Sequence, residues 1–300
     1  MKRRLVALLG VAVIALAGCG NAQSSTPAAG KQESRAAGKQ EARIIPLTGD
    51  VAEIVFKLGL ADKVVGVDLS AMGLPEARGK KQIGYQRALA AEGILSLKPT
   101  VLVGTEDAGP PPVIEQLKGA GVPVVLVPTG AASVDEVPGK IEQVATAVGE
   151  PGKGATLAAA TKAEIDAAKA TVKADAEKPR VAFLYLRGQS KTYQLGGAGT
   201  RADAMITAAG GEDAGTTAGV KGFKPITAEA MVDAAPEIIL VMKMGLESVG
   251  GEKGLLGLPG VAQTPAGKNR RIVALDDLEL LGMGPRTGQA LAKLVTAFQR

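Results

Sequence analysis

"KPTVLVGTEDAGPPPVIEQLKGAGVPVVLV", residues 98–127, decides the fold. Two apolar, valine-rich runs, TVLVG (100–104) and PVVLV (123–127), flank a segment of helical pattern at about 111–120. Strand, helix, strand at this spacing is the unit of a parallel α/β sheet. The same alternation extends upstream, with strands predicted at RIIPL (43–47) and KVVGV (63–67) and helices at about 50–59 and 88–96. A second series starts at RVAFLYL (180–186), passes through a helix at about 200–210, and continues with EIILVM (237–242) and RIVAL (271–275). The chain ends in an amphipathic helix, GQALAKLVTAF (288–298).

Between the two series, residues 133–176 give no strand signal, and from Ala155 onward alanine and charged residues dominate with few breakers. Such a composition favours helix. The expectation is therefore two Rossmann-like α/β lobes, 43–132 and 179–300, joined by a helical crossover at 133–178. One or two long helices in that crossover would restrict the lobes to a small hinge motion.

The N-terminal end has a different character. MKRRLVALLGVAVIALAGC carries a basic start, an apolar run and small residues before Cys19, the plan of a secretory signal peptide over residues 1–18. Cys19 is the sole cysteine, so no intramolecular disulfide can form. Residues 19–42 are polar and rich in small residues, with AAGKQESR followed at once by AAGKQEAR. They bury too little apolar surface to offset their ordering entropy and read as a flexible tether. Loss of the leader removes Lys2, Arg3 and Arg4, which lowers the formal charge from +5 to +2. A charge so small, in a chain without tryptophan and with only three tyrosines and four phenylalanines, argues against a nucleic-acid partner.

The chain also lacks histidine. That excludes a Ser-His-Asp triad, a Cys-His pair and the usual zinc clusters. No Walker sequence is present, and GGAG (196–199) falls short of a dinucleotide fingerprint. Nothing in the sequence calls for an enzyme.

Tyr85 and Arg87 stand out against this background, in GYQRALAAEGILSLKPTVLVG (84–104). By composition alone, Tyr85 packs on the helix that follows and Arg87 is a solvated charge at its start. The segment resembles, however, the Gly-Tyr-x-Arg-x-Leu signature of haem-binding members of the periplasmic substrate-binding proteins that serve ABC importers. The resemblance runs on through EDAGPPPVIEQLKGAGVPVV (106–125), GTRADAMITAAGG (199–211) and GFKPITAEAMVDAAPEIILVM (222–242), and covers nearly all of residues 43–300. It implies a class III periplasmic-binding-protein-like fold and capture of haem b (hemin) between the lobes, with Tyr85 as the iron ligand and Arg87 supporting it. The cysteine after Leu-Ala-Gly resembles that of bacterial lipoproteins, which implies that Cys19 is lipidated and that a monomeric protein is anchored to the outer face of the cell membrane or in a periplasm.

The chemistry is compatible. A phenolate is a hard anionic ligand suited to ferric iron. A free phenol titrates near ~10, so ligation at neutral pH requires the metal and a nearby cation. With no histidine, a sixth ligand would be water, Tyr185 or Tyr193, a methionine, or absent. The resemblance brings Met242, Lys243 and Met244 to the pocket as haem-supporting residues, with Tyr193, and Arg187 toward a haem propionate; each is equally consistent with a strand end or a solvated charge. Asp50-Val51-Ala52-Glu53 and Thr200-Arg201-Ala202-Asp203 read as capping boxes. The resemblance implies that Glu53 and Asp203, one on each lobe, dock with arginines of the permease, while plain capping accounts for either one alone. A cobalamin or ferric-siderophore carrier of the same class is the alternative; a metal-dependent enzyme on a similar frame and a purely structural surface lipoprotein are the remaining ones.

Overall fold

The computed structural model of the chain describes residues 41–130, 132–175, 177–188 and 192–300. The leader 1–18, Cys19 and the tether up to residue 40 lie outside the described residues.

The first series comprises β1 (Ile44–Pro46), α1 (Gly49–Lys57), β2 (Gly66–Val67), β3 (Lys81–Gln82), β4 (Gly84–Tyr85), β5 (Ala88–Leu89), α2 (Ala91–Leu95), β6 (Val101–Thr105), α3 (Pro111–Gly119) and β7 (Val124–Val127). Strands β1, β6 and β7 form a parallel sheet in that order, with Ile45 opposite Leu102 and Leu102 opposite Val124. The predicted strand at 63–67 shrinks to two residues because Ala61–Lys63 winds into a 3-10 turn, and it touches β1 only through a bridge at Ile44 and Val64.

The crossover consists of α4 (Val137–Ala147) and α5 (Pro151–Ala170), two helices as the composition allowed. They pack so closely that a Cβ on Gly154 would lie 2.2 Å from that of Ala145.

The second series comprises β8 (Arg180–Arg187), β9 (Thr192–Gly196), α6 (Arg201–Ala208), β10 (Glu212–Asp213), α7 (Ala214–Thr217), β11 (Phe223–Pro225), α8 (Ala228–Ala234), β12 (Ile238–Met242), α9 (Lys243–Ser248), α10 (Gly251–Leu256), α11 (Pro265–Asn269), β13 (Ile272–Leu275), α12 (Asp277–Leu281) and α13 (Thr287–Phe298). Its sheet runs β11-β9-β8-β12-β13, with β10 on the foot of β8. It is mixed, not purely parallel: β8 and β9 pair antiparallel, as do β9 and β11. Hairpin pairing of this kind leaves no long apolar run, and the sequence pattern missed both β9 and β11.

Both sheets are covered on both faces. One continuous apolar core joins α1, α4 and α5 to α13 and to Val181, Phe183 and Leu240 of the second sheet. Separate clusters fill the far faces, around Leu102 and Leu117 in the first lobe and Leu184 and Val241 in the second. These are two Rossmann-like lobes that share a buried layer rather than two independent domains meeting at a surface.

Candidate functional site

Open α/β sheets bind ligands beyond the carboxyl ends of their parallel strands. The distinctive polar side chains lie at those ends: Asp50 after β1, Asp107 after β6, Thr129 after β7, Arg187 on β8, Lys243 after β12 and Asp276 after β13.

Tyr85 does not lead into the helix predicted at 88–96. It pairs with Ala88 in a two-residue antiparallel hairpin turned by Gln86 and Arg87, and the helix starts only at Ala91. Gly84 adopts φ +99°, a conformation that glycine accepts without strain. The hairpin is clamped to the loop after β6: Leu89 N–H donates to the Gly109 carbonyl at 2.9 Å, and Gly109 N–H to that of Gln86 at 2.8 Å. Tyr85 is left 42% exposed, unusual for so large a ring in so apolar a chain.

Arg87 sits at the hairpin tip, but its ion-pair partner is Asp107, with Nη2 donating to Oδ1 at 2.8 Å. The other oxygen of Asp107 accepts from Arg201 Nη2, at the start of α6 in the second lobe, at 2.6 Å. One carboxylate thus holds two guanidiniums, one from each lobe. Asp107 is 22% exposed and Arg201 19%.

A second tie between the lobes is deeper. Lys140 of α4 is buried and donates from Nζ to Asp50 Oδ2 at 2.6 Å, to the Gly282 carbonyl at 3.0 Å and to that of Thr129 at 3.3 Å. All three ammonium donors are thereby used. Burial pushes the Asp50 carboxyl up, but the Lys140 and Arg201 charges and the bonds from Lys140 and Thr48 outweigh it and hold it below its ordinary range. Asp50 is accordingly not the helix cap that the sequence suggested; Thr48 occupies that position.

Glu53 is only 2% exposed, bonded to Arg286 at the head of α13, and burial raises its pKa in spite of that partner. In this conformation a permease arginine would have to displace Arg286 to reach it, so the expected docking role meets a buried, already paired carboxylate. Asp203 is half-exposed; Thr200 caps α6 through the Asp203 N–H, and Asp203 accepts from Gly199 N–H rather than closing the box on Thr200.

The remaining expected residues diverge. Met242 is packed in the core, while Lys243 and Met244 on the first turn of α9 are exposed. Tyr193 faces the outer layer of the second sheet and donates to the Pro259 carbonyl at 3.4 Å, and burial raises its pKa. Tyr185 faces the opposite layer, its ring 5.5 Å from the half-exposed Phe223, with the Arg187 guanidinium 4.7 Å above it. Asp107, Arg201 and Phe223 were not singled out from sequence. The position of Asp107 just past a strong parallel strand was the signal that would have found it.

Among the described residues no helix is long and apolar enough to cross a membrane, and no cluster of acidic residues could hold a metal ion. Two lobes with facing strand ends, tied by ion pairs across their junction, are the architecture of a ligand-binding protein. The family model described as periplasmic binding protein matches residues 44–278, and the chain belongs to that family. Among solved structures it is similar to the periplasmic heme-binding protein RhuT from Roseiflexus sp. RS-1 in apo form. The two are 51% identical, with a TM-score of 0.82, over 86% of this chain and 98% of that one. Among curated proteins it is similar to the ABC transporter substrate-binding lipoprotein YvrC of Bacillus subtilis (strain 168), 27% identical over 99% of this chain and 98% of that protein. It is also similar to the vitamin B12-binding protein of Vibrio parahaemolyticus serotype O3:K6, 22% identical over 86% of this chain and 89% of that protein.

Proposed function

We propose that this binding protein captures haem between its lobes, with the Tyr85 phenolate as iron ligand, and delivers it to an ABC importer. The carrying observation is an exposed tyrosine on a backbone-clamped hairpin, in a histidine-free chain that spends its few aromatics sparingly. The hairpin fixes the backbone that carries the ring before any ligand arrives, so little backbone ordering entropy is lost on binding. Arg87, two residues on along the same hairpin and paired with Asp107, is the cation this reading assigns to support the phenolate. Arg187, Lys243 and Met244 stand at strand ends of the second lobe as supporting groups. The 51% identity to a heme-binding protein favours haem over the corrinoid carried by the more distant relatives. Under this reading the Cys19 thioether lipid and the 19–42 tether hold a monomer at the outer face of the membrane. Asp203 is the accessible member of the proposed docking pair.

Titration of purified protein with hemin, followed at the Soret band, tests the assignment. Tyr85→Phe removes only the oxygen, and loss of the ligand itself is expected to weaken hemin binding by at least about 100-fold, beyond the range for loss of an outer-shell partner. Unchanged hemin binding in Tyr85→Phe removes Tyr85 as the ligand. Cyanocobalamin is the competing cargo: saturable binding of it, with hemin inert, replaces haem by a corrinoid.

A further inference from the structure

Asp107 is placed between two cations that belong to different lobes. Arg87 comes from the tip of the hairpin that carries Tyr85, and Arg201 opens α6 of the second lobe. Each guanidinium gives Asp107 one Nη2 contact, end-on, at 2.8 and 2.6 Å. A guanidinium has five N–H donors and binds a carboxylate best through two parallel bonds, so neither arginine is used to its capacity. The charge balance is also incomplete: two positive groups share one negative group, since neighbouring Asp50 is matched by Lys140. Arg87 remains 62% exposed, open to a further anion.

We infer that Asp107 is an internal carboxylate that clasps the two lobes through Arg87 and Arg201, and that a carboxylate of the cargo displaces it. The inference deepens the haem reading and rests on it for the cargo, though not for the clasp. A cargo with free carboxylates takes over one or both guanidiniums, in the two-bonded geometry that Asp107 does not use, and the clasp opens as the ligand seats. A tetrapyrrole whose side chains end in amides offers no such anion and leaves Asp107 in place. Asp107 is thus a specificity-determining positioning residue that selects for cargo carboxylates without touching iron.

Asp107→Asn keeps the shape and removes the charge. Spin labels at Lys118→Cys and Glu252→Cys, on exposed positions of α3 and α10, report the distance between lobes without any ligand. The expected result is a longer or broader distance distribution in Asp107→Asn than in the parent; identical distributions overturn the clasp, whether or not hemin binds. Titrations with hemin and with hemin dimethyl ester then test displacement. Asp107→Asn is expected to tighten hemin by about three- to fivefold, the scale of one partly exposed ion pair, and to leave the ester unchanged. Weaker hemin binding, no change, or equal shifts for both compounds overturn displacement. Unchanged hemin binding in Tyr85→Phe, with the Asp107→Asn change in lobe distances still present, would separate failure of the iron assignment from failure of the clasp.

Discussion

Asp68 shows how much a single side chain conceals at the level of sequence. In VDLS (67–70) it reads as an ordinary turn-forming aspartate, and it does accept from Ser70 N–H at 2.9 Å. The fold buries it beneath the Tyr85 hairpin, where Gln86 N–H also faces it, and burial raises its pKa to about 6. That exceeds the ordinary value of 3.8, so between the two the folded protein holds a proton that the unfolded chain releases. Stability is then highest below the lower value, falls as pH rises, and carries the full penalty above the upper one. The penalty is of order 2–3 kcal/mol. Asp68→Asn is expected to raise stability at pH 7.5 by about 1 kcal/mol, after allowance for a weakened hydrogen bond, and to flatten the pH dependence between 5 and 7. Urea unfolding at both pH values checks this; an unchanged slope would mean that Asp68 is charged in the folded state. Asp213, also raised to about 6 by burial, contributes to the dependence that remains, with Glu53 and Asp277, which burial raises too. Tyr85 is the converse case: its rarity marked it in the sequence, but its hairpin and the diversion of Arg87 to Asp107 depend on a loop twenty residues away.

Among the elements, the helical crossover was the most legible and its packing the least. Alanine-rich composition announces helix over α5, because propensity is a local property. Which of its faces meets α4 depends on the crossing of the two helices, and the contact that permits it is Gly154 against Ala145. Gly154→Ala gains about 1 kcal/mol of helix propensity but forces an overlap whose relief costs about 1–3 kcal/mol. The loss wins, and a net destabilisation of up to ~2 kcal/mol is expected. Gly152, on the same helix with open space around it, should respond to Ala with a gain of up to ~1 kcal/mol. Thermal unfolding of the two variants distinguishes them; equal shifts would remove the close contact as the cause. The hairpins failed for a related reason. Strands of two residues, and a strand such as β9 paired antiparallel to its neighbour, produce no periodicity long enough to read.

For the whole molecule, the decisive feature is that the lobes share a core and are pinned through it. Lys140 reaches from the crossover to Asp50 in the first lobe and to the Gly282 carbonyl in the second. Loss of the ammonium strands a buried carboxylate, so Lys140→Ala is expected to destabilise the protein by about 3–5 kcal/mol. The double variant Asp50→Asn, Lys140→Met removes both charges and should recover most of that loss. Chemical denaturation of the single and double variants gives the coupling, and an additive result would show that the pair is not an energetic unit. A shared apolar layer between α1, α5 and α13 also opposes wide opening, since separation would expose it to water. The peripheral Asp107 clasp lies outside that layer.

The sequence by itself determined the class of fold, the order of its long parallel strands with the crossover between them, and the one tyrosine worth testing. Hydrophobic alternation and the residue inventory are carried by neighbours along the chain, so they survive without a structure. Tertiary structure alone decided that Asp107 joins Arg87 to Arg201, that Glu53 is paired with Arg286, that Met242 packs in the shared core and Tyr193 against the outer layer, and that Lys140 is buried among oxygens. Each of these depends on groups separated by tens to hundreds of residues, brought together only when two sheets bury their faces against one common layer of helices.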